Sequence, residues 1–411
     1  MSQREVQLNK ANKKDNVIKT VYGLALFLLF VICTVLFRRM AISYPGPLGT
    51  YYSDINVRLD WGMGECYSIF LIPEFYFVEL FGMDIGSWLI GIYLSIFVIG
   101  TVLLIYALLR KICPNAEMRL LAIFSFVCLL VNPIFIPTIS ERLFSPYAGS
   151  VWHNESYLGM RFAAIMVLLL FFSTCNLYLE KFSWKVFIVE SVLFLLVNWV
   201  KPNFIIAFGP AMLIMMIVDI CKAKGKHFVR WMLYGIPVLI GGLILPVQYL
   251  LLFPSSGGGN DGSGGGNDGS GIAFVFGDFF FSQKLPLLNL ILAYSFPVLM
   301  FIIHRKEFIK SKFHIVCCLG WFFSFAEFFF LSETGFRRLH ENFYWGVRFF
   351  TFLIYCLSIG YFISDIQKSR KQKKNKAIDL FFVENMFVLI HLLAGVVYFV
   401  LVLLGVRASE L

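Results

Sequence analysis

An all-α bundle of membrane-spanning helices is the fold class this sequence predicts, and three observations predict it. The 411-residue chain is 59% hydrophobic and only 15% charged, against about 25% charged in an average soluble domain, and its mean hydropathy is +0.78. About eleven apolar runs, each near the ~20 residues a span requires, alternate with short polar connections; ten and twelve bound the count. If the amino terminus is cytoplasmic and each run crosses, most of the 35 Lys and Arg fall on the cytoplasmic side, as the positive-inside rule requires. That sorting predicts a multi-pass membrane protein, read as one integral domain over residues 1–411, and the Phe- and Lys-rich composition points to a bacterial plasma membrane.

Residues 1–19 form a polar cytoplasmic tail with no cleavage site after it, so Ile18–Phe37 reads as a retained first helix. An outer loop covers 38–84. Its second half, Ser68–Leu80, is apolar but short and carries Glu74 and Glu79, which predicts an interfacial or re-entrant helix. The second helix is expected over Ile85–Leu109 and the third over Leu120–Pro137, followed by an outer loop at 138–161 and a fourth helix at Phe162–Leu179. Val186–Val200 and Phe204–Ile220 are separated only by Lys201, Pro202 and Asn203; Pro cannot continue a helix interior cheaply, so the chain must turn there. A seventh helix at Trp231–Phe253 leads into an outer loop at 254–285. That loop carries GGGNDGS twice in tandem (257–270), a flexible tip by composition, or a mobile lid given the apolar flank Ile272–Phe281. Helices at Pro286–Ile303 and Ile315–Leu331, an outer loop at 332–346, and helices at Val347–Ser364 and Val383–Val406 complete the reading.

Composition excludes several functions. The net charge of +10 lies beside helix ends such as Lys222–Arg230 and Lys368–Lys376, which suits topology and anionic lipid headgroups rather than nucleic acid. The nine Cys sit mostly in apolar runs, without CxxC or Cys/His spacing, so neither a disulfide framework nor a metal site is implied.

The orientation gathers the chemistry-bearing residues on the outer face. The first loop holds Asp54 and Asp60; a carboxylate at the water–lipid boundary can be desolvated enough to act as a base, or can simply cap a turn. The second holds Trp152, His153, Asn154 and Glu155, with Arg161 at the mouth of the next helix; His153 can serve as acid or base, and a capped helix start with an aromatic belt is the alternative. Lys201, beside Asn203, is a cation between apolar walls that either binds phosphate or snorkels to the surface. The fourth loop carries Arg337, Arg338, His340, Glu341 and Asn342; paired Arg on the outer face oppose the topological bias and suit phosphate or carboxylate. The intrahelical acids Glu190, Glu327 and Glu384 lie near helix ends rather than in a midplane cluster.

This layout resembles the GT-C superfamily of integral membrane glycosyltransferases. Tyr52-Ser53-Asp54, Trp152-His153-Asn154 and Lys201-Pro202-Asn203-Phe204 are also similar to bacterial polytopic proteins of surface-polysaccharide type. The resemblance implies a GT-C-like bundle with an interfacial helix in the first loop, a polyprenyl-phosphate-linked sugar donor, and a glycan or lipid acceptor. It makes Asp54 the base with Asp60 in reserve, and Lys201, Arg337 and Arg338 the phosphate holders. The first loop lacks an Asp-Asp pair or Asp-X-Asp, so no metal ligands are assigned, and use of a divalent metal stays open. Three further readings remain: a polysaccharide polymerase or ligase using lipid-pyrophosphate glycans, a lipid-linked sugar flippase or transporter, and a non-catalytic membrane scaffold, which leaves the Arg337-Arg338 pair unexplained.

Overall fold

The structure, a computed structural model, describes residues 3–42, 68–136, 145–152, 154–252, 271–334, 342–371 and 378–404. Its elements are α1 (Gln3–Ile42), α2 (Ile72–Ile112), α3 (Met118–Leu130), α4 (Glu155–Thr174), α5 (Trp184–Val200), α6 (Asn203–Lys222), α7 (Phe228–Gly242), α8 (Ile244–Leu252), β1 (Ile272–Phe274), α9 (Asp278–Ser282), α10 (Pro286–Ile303), α11 (Arg305–Lys310), α12 (Lys312–Phe330), β2 (Leu331–Glu333), α13 (Tyr344–Lys371) and α14 (Ile378–Leu404). The protein is a multi-pass helical bundle: among the described residues, nine helices are long and apolar enough to cross a membrane.

All eleven expected helices are present, yet two fall short of a span. α5 has 17 residues, and α3 has 13, or about 20 Å against a hydrocarbon core of about 30 Å. The expected third helix, continuing to Pro137, is therefore corrected: it ends at Leu130, and 131–136 are irregular. Pro133 is the local cause, because the residue before a proline is pushed out of helical conformation.

The chain after this break departs most from expectation. Residues 145–152, expected in an outer loop, are buried inside the bundle. Irregular backbone at membrane depth survives only where protein covers it and its polar groups are paired. Asn132 answers both needs. Its amide donates to the Ser150 carbonyl at 3.0 Å, and its Oδ1 accepts from the Ser150 N–H at 2.8 Å. Its backbone N–H donates to the His391 carbonyl on α14, and the His391 ring lies 3.0 Å from the Asn132 carbonyl. Gly149 lets the segment press on α13, since a β-carbon there would sit 2.7 Å from Phe352 Cα.

α2 combines the expected interfacial helix with the expected second span. The two parts meet at Gly82, whose φ of 72° and ψ of 167° fall where only glycine is at ease. The first part folds back along the second: Phe70 and Phe77 both pack on Tyr93, and the Tyr93 hydroxyl donates to the Phe70 carbonyl at 3.0 Å. Ser68–Leu71 is thus drawn alongside α2, about three helical turns from the break.

α13 is the axis of the bundle. It packs against α2, α3, α6, α10, α12 and α14, and its side chains are buried almost all round from Tyr344 to Ile363, as a central helix requires. The outer helices show the inverse pattern, with Val17, Val21, Leu24 and Leu28 of α1 exposed while Cys33, Leu36 and Phe37 face inward. β1 and β2 form an antiparallel pair, Ile272 opposite Glu333. This pair and α9 lie where an outer loop and an apolar surface segment were expected; Phe274 and Phe276 there are strongly exposed. At the opposite end, Asp219 joins α6 to Lys312 at 2.7 Å, and Asp365 of α13 meets His304 at 2.5 Å.

Candidate functional site

Three chain reversals meet at one end of the bundle, and Lys201 lies at their junction. Lys201 ends α5 in extended conformation, with Pro202 then redirecting the chain into α6. Its Nζ donates to Asn154 Oδ1 at 3.3 Å and to Ser156 Oγ at 3.1 Å. The same Asn154 oxygen caps α4 by accepting from the Tyr157 N–H at 2.9 Å, the role its residue type favours at a helix start. The Lys201 ammonium also lies 4.4 Å from the ring centre of Trp345. Only 3% of the residue is exposed, so it does not snorkel. A buried ammonium needs paired, oriented acceptors, and these groups supply them.

The other segments close around this point. Ser68 Oγ donates to the Val200 carbonyl at 2.7 Å, docking the re-entrant part of the first loop on the Lys201 turn. Phe70 reaches α4, where its ring leaves no room for a β-carbon on Gly159. Asn203 Nδ2 donates to the Asn342 carbonyl at 2.8 Å and to Glu327 Oε1 at 3.4 Å. Asn342 Nδ2 in turn donates to Glu333 Oε2 at 2.8 Å. The expected Asn203 and Asn342 are therefore joined through direct bonds, and Glu327 joins them from the end of α12.

The cations share the aromatics. Arg348 stacks its guanidinium 4.5 Å from the Trp345 ring and 4.8 Å from that of Tyr344, so Trp345 carries Lys201 and Arg348 together. Tyr157 lies 5.2 Å from Trp345, ring centre to ring centre, and its hydroxyl donates to the Gly149 carbonyl at 2.5 Å. The acids Glu74 and Glu155 are also buried at helix starts.

Of the residues expected from sequence, the structure brings Asn154, Lys201, Asn203 and Asn342 together, with Glu155 beside Asn154 in the chain. Trp152 is buried and packs on Phe399 of α14, 4.5 Å between ring centres. Arg161 is corrected: it lies not at the mouth of a helix but two turns inside α4, wholly buried. Asp54, Asp60, His153, Arg337, Arg338, His340 and Glu341 lie outside the described residues, as do the tandem repeats at 257–270. Sequence reading passes over Arg348, Glu333 and Ser68. For Arg348 the signal is present: a cation in an apolar helix is costly, and this one stands three and four residues after Trp345 and Tyr344, on their face.

The arrangement presents buried cations on an aromatic platform, flanked by carboxylates and amides, at one end of the bundle. That can hold an anionic group and orient a polar one beside it. Among the described residues, no cluster of His, Cys, Asp or Glu has the makings of a metal centre. No protein-family model, curated protein or solved structure matches the chain.

Proposed function

We propose that this protein is a membrane glycosyltransferase of the bacterial plasma membrane, moving a sugar from a polyprenyl-phosphate-linked donor to a cell-surface glycan or lipid acceptor. The amino terminus is assigned to the cytoplasm by the Lys and Arg distribution, which puts the Lys201 end in the outer leaflet. The observation that carries the reading is the Lys201 ammonium, buried between Asn154, Ser156 and Trp345 where the re-entrant first loop, the α5–α6 turn and the start of α13 converge. A phosphate leaving group needs fixed cations, and a sugar face needs aromatic rings and amides.

In the proposed reaction the acceptor hydroxyl attacks the anomeric carbon. The bond from that carbon to the phosphate oxygen breaks, and polyprenyl phosphate departs with the electron pair. Asp54, with Asp60 in reserve, takes the acceptor's proton, while Lys201, Arg337 and Arg338 hold the departing phosphate. Inversion at the anomeric carbon and the GT-C comparison are analogies drawn from topology. The test is transfer of a radiolabelled sugar from a synthetic polyprenyl-phosphate donor by the purified protein in nanodiscs. Label in the acceptor supports the reading, and label retained in the lipid across a donor and acceptor panel opposes it.

One observation favours a second reading, a transporter of lipid-linked sugars. The irregular, protein-covered chain at 131–136 and 145–152 is the kind of break that substrate pathways use. Movement of a labelled lipid-linked sugar between leaflets without transfer would select it. A product ladder from a lipid-pyrophosphate glycan would select a polymerase instead.

A further inference from the structure

Arg161 is wholly buried, and its Nε, Nη1 and Nη2 all lack a hydrogen-bond partner. Its guanidinium is covered by the rings of Phe352 and Tyr157, at 5.2 and 5.7 Å. Rings over the flat faces leave the donor edges unanswered, since guanidinium N–H groups point outward in the plane. Among the described residues, the ionisable groups that face it are Tyr157 on its own helix and Cys356, Cys33 and Tyr398 on neighbouring helices, thiols and phenols rather than carboxylates. One helical turn before Arg161, the Tyr157 hydroxyl donates to the Gly149 carbonyl of the irregular chain.

This quarter of the bundle therefore holds an excess of unanswered donors and a full positive charge. An unpaired buried charge costs several kcal/mol, and intramembrane cations mark binding sites or substrate paths. We propose that Arg161 forms a second anion site inside the bundle, sharing Tyr157 with the Lys201 cluster, which takes a phosphate-class oxyanion. Two phosphate oxygens can meet the guanidinium fork together. The source is either a lipid-borne phosphate or free phosphate. The inference stands on the unanswered donors of Arg161, and it holds whether the protein transfers a sugar or moves one.

The test measures thermal unfolding of the full chain in a phosphate-free, neutral detergent, titrated in separate arms with inorganic phosphate and with a short-chain prenyl phosphate. Wild type should show a saturable rise in melting temperature in at least one arm, and the responding arm names the source. Arg161→Met should melt at or above wild type without ligand, because it removes an unpaired buried charge, and should lose the rise. Arg161→Lys, which keeps the charge but not the fork, should need about tenfold more ligand and covers the case in which the methionine variant does not fold. In Lys201→Ala, which removes the other proposed phosphate holder, a saturable rise that depends on Arg161 should remain even where the total rise is smaller. No rise in either arm, or a rise that persists in both Arg161 variants and vanishes in Lys201→Ala, overturns the proposal. Because the readout is binding, a failure of the glycosyltransferase reading leaves this result unaffected.

Discussion

Lys201 Nζ lies 3.3 Å from Asn154 Oδ1, so the cation at the tip of the α5–α6 hairpin is fixed to the residue that caps α4. One oxygen therefore has two duties. It satisfies a backbone donor that the first turn of α4 would otherwise leave open, and it orients a buried ammonium.

Substitution at Asn154 separates these duties. Asn154→Ala removes both and is expected to lower stability by about 1–2 kcal/mol from the lost cap, with a further cost for the ammonium it leaves short of an acceptor. Asn154→Asp keeps the cap and draws Lys201 into an ion pair. Its melting temperature should stay near wild type while affinity for a phosphorylated donor falls. Unfolding curves and donor binding on the same preparations check both statements.

The two proposed chemical roles separate kinetically. Asp54→Asn should abolish sugar transfer with membrane abundance near normal, because only proton removal is lost. Lys201→Ala should weaken donor binding by about ten- to hundredfold, the range of one or two charge-assisted hydrogen bonds. Full activity of purified Asp54→Asn removes the base assignment, and unchanged donor affinity in Lys201→Ala removes the phosphate role.

Gly149→Ala should destabilise the bundle by about 1–3 kcal/mol through overpacking, since the added carbon would meet the Phe352 backbone rather than a movable side chain. Thermal unfolding in detergent reads the cost, and a neutral result would mean that 145–152 does not pack on α13 as described.

Orientation has its own test. Cys221, near the end of α6, is exposed. With the amino terminus in the cytoplasm it faces the cytoplasm, so in a variant retaining only this cysteine, an impermeant maleimide should label it in inverted vesicles and spare it in intact cells. The reverse pattern would invert the topology and move the Lys201 cluster to the inner face.

The helices were legible because a bilayer sets the length of an apolar run, and nine of the eleven helices end within five residues of the run that announces them. The α3 break was not, because Val131, Ile134 and Ile136 are as apolar as any helix and only Asn132-Pro133 hints that winding stops. The site was legible in part. Asn154, Lys201, Asn203 and Asn342 are polar residues at the ends of apolar runs, where topology alone brings loops together. Arg348 and Arg161 were harder to read, because their meaning depends on what surrounds them within the bundle: aromatic rings for one, unanswered donor edges for the other.

The most direct measurement is a structure of the purified protein in nanodiscs with a polyprenyl phosphate added. The account predicts lipid phosphate beside Lys201, with Arg337 and Arg338 on the same group and Asp54 facing the same cavity. A lipid or sugar path running through the bundle to the Asp219–Lys312 end, with those residues dispersed, would contradict it.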